Sequence, residues 1–150
     1  MKGPKYAKIR PVIWKGKSFS CLSRHGKLLL MYFLTSPRFH MLGIYEAPRA
    51  FILKETGLNK NELEISLGEL IENKFICYED EAGVVWVCSM ALSQVSDGNT
   101  SPQQRKGVIN ELTRLFNDDF PFVQEFLDKY REKYDFLPES QIDLEWNQER

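Results

Sequence analysis

The stretch that most limits what this chain can fold into runs from Pro48 to Cys88: PRAFILKETGLNKNELEISLGELIENKFICYEDEAGVVWVC. A helix is expected over about residues 49–56, because Pro48 suits its first turn and Gly57 suits the left-handed position just past its end. Leu58 plugs the turn. Asn59 then caps a second helix, with Glu62 three residues on, the Asn form of a capping box. Leu63, Leu67, Leu70 and Ile71 recur at spacings of four, three and one, so they share one face of that helix, which Asn73-Lys74 ends. Phe75 to Tyr78 and Val84 to Val87 are rich in β-formers and flank a short loop containing Gly83, so they read as a hairpin. Two helices joined at a tight turn and followed by a hairpin make a winged helix-turn-helix. The expected class is therefore α+β.

Upstream, Ser23 caps a helix that runs to about Thr35 in LSRHGKLLLMYFLTS. Leu28 to Leu34 is an unbroken apolar run, too long for one face of a surface helix and too short for a membrane span. It is expected to be buried nearly all round, as the central helix of the domain. Ser36-Pro37 stops it. His25, near its start, reads as a partly exposed polar residue and not as a ligand. Gly43-Ile44-Tyr45 has the length and composition of a short edge strand, which would close the small sheet of the hairpin. These elements place a winged-helix domain over residues 20–95, preceded by a basic arm over residues 1–19.

Beyond it, Ser89 to Gln94 suits a helical turn and Ser96 to Ser101 reads as a loop. Ser101-Pro102-Gln103-Gln104 combines a cap, a first-turn proline and a capping-box glutamine. Val108, Ile109, Leu112, Leu115 and Phe116 follow as a helical stripe. Asp118-Asp119-Phe120-Pro121 breaks the chain and starts another helix, with Phe122, Val123, Phe126, Leu127 and Tyr130 along one face. Both stripes need cover from each other, from the winged-helix domain or from a second chain. Residues 101–134 are thus a C-terminal helical extension. Residues 135–150 are acidic and weakly periodic, which reads as a loosely held tail. Ile142, Leu144 and Trp146 alternate there with charged residues, as in a docking peptide, a strand or a segment that folds back to bury Trp146.

The formal net charge is only −1, but it is unevenly distributed. Residues 1–45 hold nine basic side chains and no acidic one, whereas residues 111–150 hold eleven acidic and five basic. A basic front end points to an anionic partner, against the plain reading of a solvated lysine-rich terminus. Lys5, Lys8, Arg10, Lys15 and Lys17 are the candidate phosphate contacts, and the aromatic residues interleaved with them suit stacking on bases. The stronger reading of Trp14 itself, beside Ile13, is a core anchor. On the second helix of the motif, Lys60, Asn61 and Ser66 are candidate hydrogen-bond donors to DNA and Ile65 a contact for a thymine methyl. Glu62, Glu64, Glu69 and Glu72 on that helix, and Glu79, Asp80 and Glu81 at the hairpin tip, repel phosphate.

Ile65 and Gly68 fall on the side away from the core stripe. A small residue beside an apolar one suits the close approach of a partner helix; alternatively Gly68 packs beneath Arg49 or the N-terminal arm. Ile65, Gly68, Phe126 and Trp146 are accordingly the candidate contacts for a partner or a second copy. Cys21, Cys77 and Cys88 are odd in number and lack CxxC spacing, and with His25 and His40 they make no zinc set. No phosphate-cradling glycine loop or nucleophile motif is visible, so neither a cofactor nor catalysis is expected. Cys77 and Cys88 flank the hairpin and are placed to meet across it. No apolar run has the length of a membrane span and the start lacks a signal-peptide core, so a soluble cytoplasmic protein is expected.

The ordered blocks FSCLSRHGKLLLMYFLTSP, GIYEAP and TGLNKNELEISLGELIENKFICYEDEAGVVWV resemble the winged-helix domain of phage and prophage replication proteins related to DnaD-type replisome organisers. Gly98-Asn99 and PFVQEFLDKY continue the pattern, which covers about residues 13–134. The resemblance implies a non-enzymatic part in phage DNA replication, by origin binding or replisome assembly, inside a bacterial host cell. Its implied partners are double- or single-stranded DNA and replication proteins. Full-length members of the family often carry a further C-terminal domain that binds DNA or contacts a loader, and no such domain is visible in this sequence. A protein-interaction or oligomerisation module, or a transcriptional regulator, is the competing reading, and a homo-oligomer is compatible with each.

Overall fold

In the computed structural model, which describes residues 6–91 and 100–146, the chain is α+β and divides into two units, residues 1–94 and 95–150. The first unit opens with a 3-10 turn, Pro11–Lys15, followed by α1 (Lys17–Ser20) and α2 (Arg24–Thr35). Then come β1 (Ile44–Glu46), α3 (Arg49–Thr56), α4 (Lys60–Glu72), β2 (Ile76–Glu79) and β3 (Val84–Val87). The strands form one antiparallel sheet in the order β1-β3-β2, with Tyr45 opposite Val85 and Cys77 opposite Trp86. β3 lies between the other two, and all of Val84 to Val87 is buried.

Local chemistry sets the helix ends. Ser23 Oγ accepts from the Gly26 backbone N–H at the start of α2. Gly57 adopts a φ of 78° and donates to the Leu53 carbonyl, ending α3. Asn59 and Glu62 exchange hydrogen bonds in a complete capping box that starts α4. The core joins α2, α3, α4 and the sheet through side chains such as Leu29, Phe33, Ile52, Leu70 and Val85, all fully buried. The Tyr45 hydroxyl adds a polar tie from β1 to the Phe33 carbonyl of α2.

Three packing expectations need correction. α2 is not buried all round: Leu28 is 43% exposed, and Met31, Tyr32 and Leu34 are only partly covered. Its packing partner is chiefly α4, so one side of its apolar run stays without cover. On α4, Leu63, Leu67 and Leu70 are buried but Ile71 is exposed. At 100° per residue Ile71 falls at the edge of that stripe. Trp14 is not a core anchor; Ile13 takes the inward place, and in a turn of three residues per revolution its neighbour must point elsewhere. The thiols of Cys77 and Cys88 do meet, with Sγ atoms 3.8 Å apart and both cysteines unbridged.

The second unit comprises α5 (Pro102–Asn117), α6 (Val123–Tyr130) and α7 (Asp143–Trp146). Ser101 and Gln104 form the expected capping box. Val108, Leu112 and Leu115 of α5 and Val123, Phe126, Leu127 and Tyr130 of α6 are buried. Phe122 does not join that stripe; it precedes α6 with a φ of 75°. The described part of the expected tail is packed, not loose: Leu137 and Leu144 are buried, as is Tyr134 just before it. Gln124 explains part of this, because its amide donates to the Glu139 carbonyl and accepts from the Gln141 backbone N–H. Ile142 is exposed in the turn before α7 and Leu144 is buried within α7, so their alternation does not belong to a strand. Of the Ser89 to Gln94 turn, Met90 and Ala91 are helical, while 92–94 and most of the 96–101 loop lie outside the described residues.

Candidate functional site

α4 exposes Lys60, Asn61, Glu64, Ile65, Gly68 and Glu72. Ser66 is a correction: it is completely buried, and among the described residues its Oγ has no hydrogen-bond partner. It borders the leucine stripe on the helical wheel, about 40° from Leu70, and its full burial makes it unavailable to DNA. The acidic side chains of this region are in large part engaged. Glu62 Oε2 lies 3.1 Å from His25 Nε2, and His25 is half exposed, as expected. Glu69 accepts from the Ser23 backbone N–H at 2.5 Å and from its hydroxyl at 2.7 Å. Arg49 is gripped by Glu64 at 2.6 Å and by Asp80 at 2.5 Å, with its guanidinium 5.0 Å from the centre of the Tyr78 ring. The hydrogen bonds that Arg49 donates to Glu64, foremost, hold its guanidinium pKa above the ordinary value. Arg49 thereby ties the hairpin tip to both helices of the motif.

The N-terminal stretch presents the opposite sign. Lys8, Arg10, Lys15, Lys17 and Arg24 are exposed, while Lys5 lies outside the described residues. The stretch is anchored, because Ala7 and Ile13 pack on the core. A cleft of about 210 Å³ beneath it is lined by Ile9, Ile13, Leu30, Leu34, Phe75 and Met90 among others. The turn is closed by Ile13 N–H to the Arg10 carbonyl at 3.1 Å and Gly16 N–H to the Ile13 carbonyl at 3.2 Å. Its cations are therefore displayed from a fixed backbone.

The second unit carries a polar groove of about 810 Å³ along α5, lined by Arg105, Lys106, Asn110, Arg114, Asn117 and Phe136 among others. Arg105 donates to Thr100 Oγ1 at 3.1 Å and lies 5.6 Å from the centre of the Phe136 ring. Arg114 is paired with Glu111 and Asp118, and the Glu111 hydrogen bond is the first cause of its raised pKa. The apolar stripe of α5 does not announce this face; its signal in the sequence is Lys106 and Arg114, which lie away from the stripe, with Arg105 at the stripe's border. Phe126 is a further correction. It is fully buried with its ring 4.7 Å from that of Tyr130, so it belongs to the interior and is not offered to a partner. The Trp146 side chain lies outside the described residues.

Of the candidate DNA contacts, Lys8, Arg10, Lys15 and Lys17 thus share one exposed stretch, and Lys60 and Asn61 sit together at the start of α4. Among the described residues there is no group of three or more His, Cys, Asp or Glu side chains able to hold a metal ion. Among them, too, no helix is long and apolar enough to cross a membrane. Comparison with protein-family models, with curated proteins and with solved structures finds no match to this chain.

Proposed function

We propose that the chain is a non-enzymatic DNA-binding protein of phage DNA replication, acting at an origin or in the assembly of replication proteins through a winged helix-turn-helix domain. Two features support the fold name. They are the succession α3, tight turn, α4 and β2–β3 hairpin, and the third strand that β1 adds beside β3. The replication role rests on the sequence resemblance. One observation carries the DNA-binding reading: nine basic and no acidic side chains within residues 1–45, with those from Lys8 to Arg24 exposed. Such a surface neutralises phosphates and releases their counterions, so affinity falls as salt rises. α4 contributes less, since Glu64 and Glu72 share its exposed face with Lys60 and Asn61.

A salt-titrated gel shift on duplex and single-stranded DNA tests the reading. Wild-type affinity should fall steeply with salt. Changing Lys2, Lys5, Lys8 and Arg10 together to glutamine should flatten that dependence by up to about four units of slope. Unchanged affinity and slope would remove the arm from the interface.

Gly68 favours a second reading, self-association through α4. A Cβ placed on Gly68 meets nothing within 4 Å, so packing beneath Arg49 or the arm does not account for this glycine. Ile65, nearly one turn away, is 62% exposed. A two-fold pairing would set this patch against itself.

A further inference from the structure

Trp14 is 61% exposed on the anchored turn of the N-terminal stretch. An indole is among the costliest side chains to leave in water, and it is well suited to a ligand that offers a flat ring. This one is held in place. Its ring meets that of Phe19 at 5.1 Å between centroids and 89° between planes, and Phe19 is itself buried in the core. The Ser20 hydroxyl lies 3.3 Å from the Trp14 carbonyl and 2.7 Å from that of Gly16, which steadies the backbone on both sides. Lys27 Nζ lies 5.7 Å from the centre of the same Phe19 ring, so Phe19 links a cation and the indole in one patch. Arg10, Lys15 and Lys17 are exposed close by in sequence, and residues 1–45 contain no carboxylate side chain.

We propose that this patch is a stacking site for an unpaired base of single-stranded nucleic acid, with Trp14 as the platform. Arg10, Lys15, Lys17 and Lys27 serve the flanking phosphates. A duplex keeps its bases stacked on one another, so it uses the cations and not the indole. A single strand uses both, and does so with little sequence preference because every base has a π-face. Charge selects the occupant: a stretch of chain with nine cations and no carboxylate of its own suits a polyanion, and among polyanions a single strand alone supplies a row of free flat rings. The inference rests on the DNA-binding reading above and narrows it to one strand form at one residue.

The test titrates the full chain with an oligothymidylate of about 12 nucleotides, following tryptophan emission, beside a duplex of equal length. The single strand should quench emission. Trp14→Ala should remove most of the quench and weaken single-strand binding about tenfold or more, with duplex affinity little changed. Trp14→Phe should retain intermediate affinity. Trp14 is exposed, so matching thermal melts will show that the variants fold. If Trp14→Ala binds the single strand as tightly as wild type, the stacking site is overturned and the DNA-binding reading stands. If neither nucleic acid binds, both are overturned. A Trp14-dependent emission shift on phosphatidylserine vesicles without response to the oligonucleotide overturns the proposal in favour of a membrane surface. A Trp14-dependent change in sedimentation mass without nucleic acid overturns it in favour of a protein contact.

Discussion

Gly68 and Ser66, two positions apart on α4, carry side-chain chemistry opposite to their surroundings. Gly68 stands on an open helical surface, where glycine costs about 1 kcal/mol relative to alanine and slightly less relative to leucine. Gly68→Leu should therefore melt no lower than wild type. If α4 mediates self-association, the same variant should split the assembled form, because leucine blocks the close approach that glycine permits. Light scattering on both proteins at tens of micromolar, a range set by ordinary dimer affinities, decides the matter; a monomeric wild type ends the idea. Ser66 is the reverse case, a hydroxyl turned into the core. The wheel angle does not decide its burial: Ser66 lies about 40° outside the leucine stripe on one side and Ile71 about 40° outside it on the other, yet Ser66 is buried and Ile71 exposed. Trp14 was not legible either. The 3.6-residue rule does not apply to a 3-10 turn, and nothing in the sequence says which of Val12, Ile13 and Trp14 faces the core.

At the scale of elements, the parts written in local chemistry appear in the structure where the sequence places them. Asn59 with Glu62, Ser101 with Gln104, and Gly57 act within a few residues of themselves, and they fix α3, α4 and the start of α5. Ties between distant segments were not legible, because no period announces them. The Gln124 clamp on Glu139 and Gln141 is one. Another is Arg38, after α2, which donates to Glu55 of α3 at 2.5 Å and to the Tyr32 hydroxyl at 2.9 Å, while Tyr32 donates to the same Glu55 oxygen at 3.1 Å. The Arg38 hydrogen bond, foremost, holds the Glu55 carboxyl below its ordinary pKa. A lowered folded-state value means the stabilisation is fully present above the unfolded value, about 4.3 for glutamate, and is lost as pH falls through the folded one. With its side chain 28% exposed, Glu55 should contribute on the order of 1 kcal/mol or less. Glu55→Gln should thus melt below wild type by a constant margin at neutral pH, and the margin should close as pH falls below the ordinary glutamate value and through the lowered folded one. An equal deficit at every pH would contradict this account.

For the whole molecule, the division after residue 94 separates both burial and charge. The core that α2, α3, α4 and the sheet share is built from residues between Phe19 and Met90. Residues 1–94 hold thirteen basic and nine acidic side chains, and residues 95–150 hold seven and twelve. A fragment ending at Gln94 keeps that core whole, so it should melt cooperatively, stay soluble and bind DNA at least as tightly as the full chain once the acidic second unit is gone. A fragment ending at residue 116 retains most of α5 but loses α6 and α7, the elements that pack against it. Leu112 and Leu115, fully buried in the intact unit, would then be uncovered on an unsupported helix. The longer fragment should therefore associate or precipitate where the shorter one does not, a reversal of the usual trend with length. Sedimentation velocity on the two fragments at matched concentration reads it out. A soluble, monomeric 1–116 fragment would show that α5 needs no cover from α6 and α7, and an unfolded 1–94 fragment would show that the first unit does not stand alone.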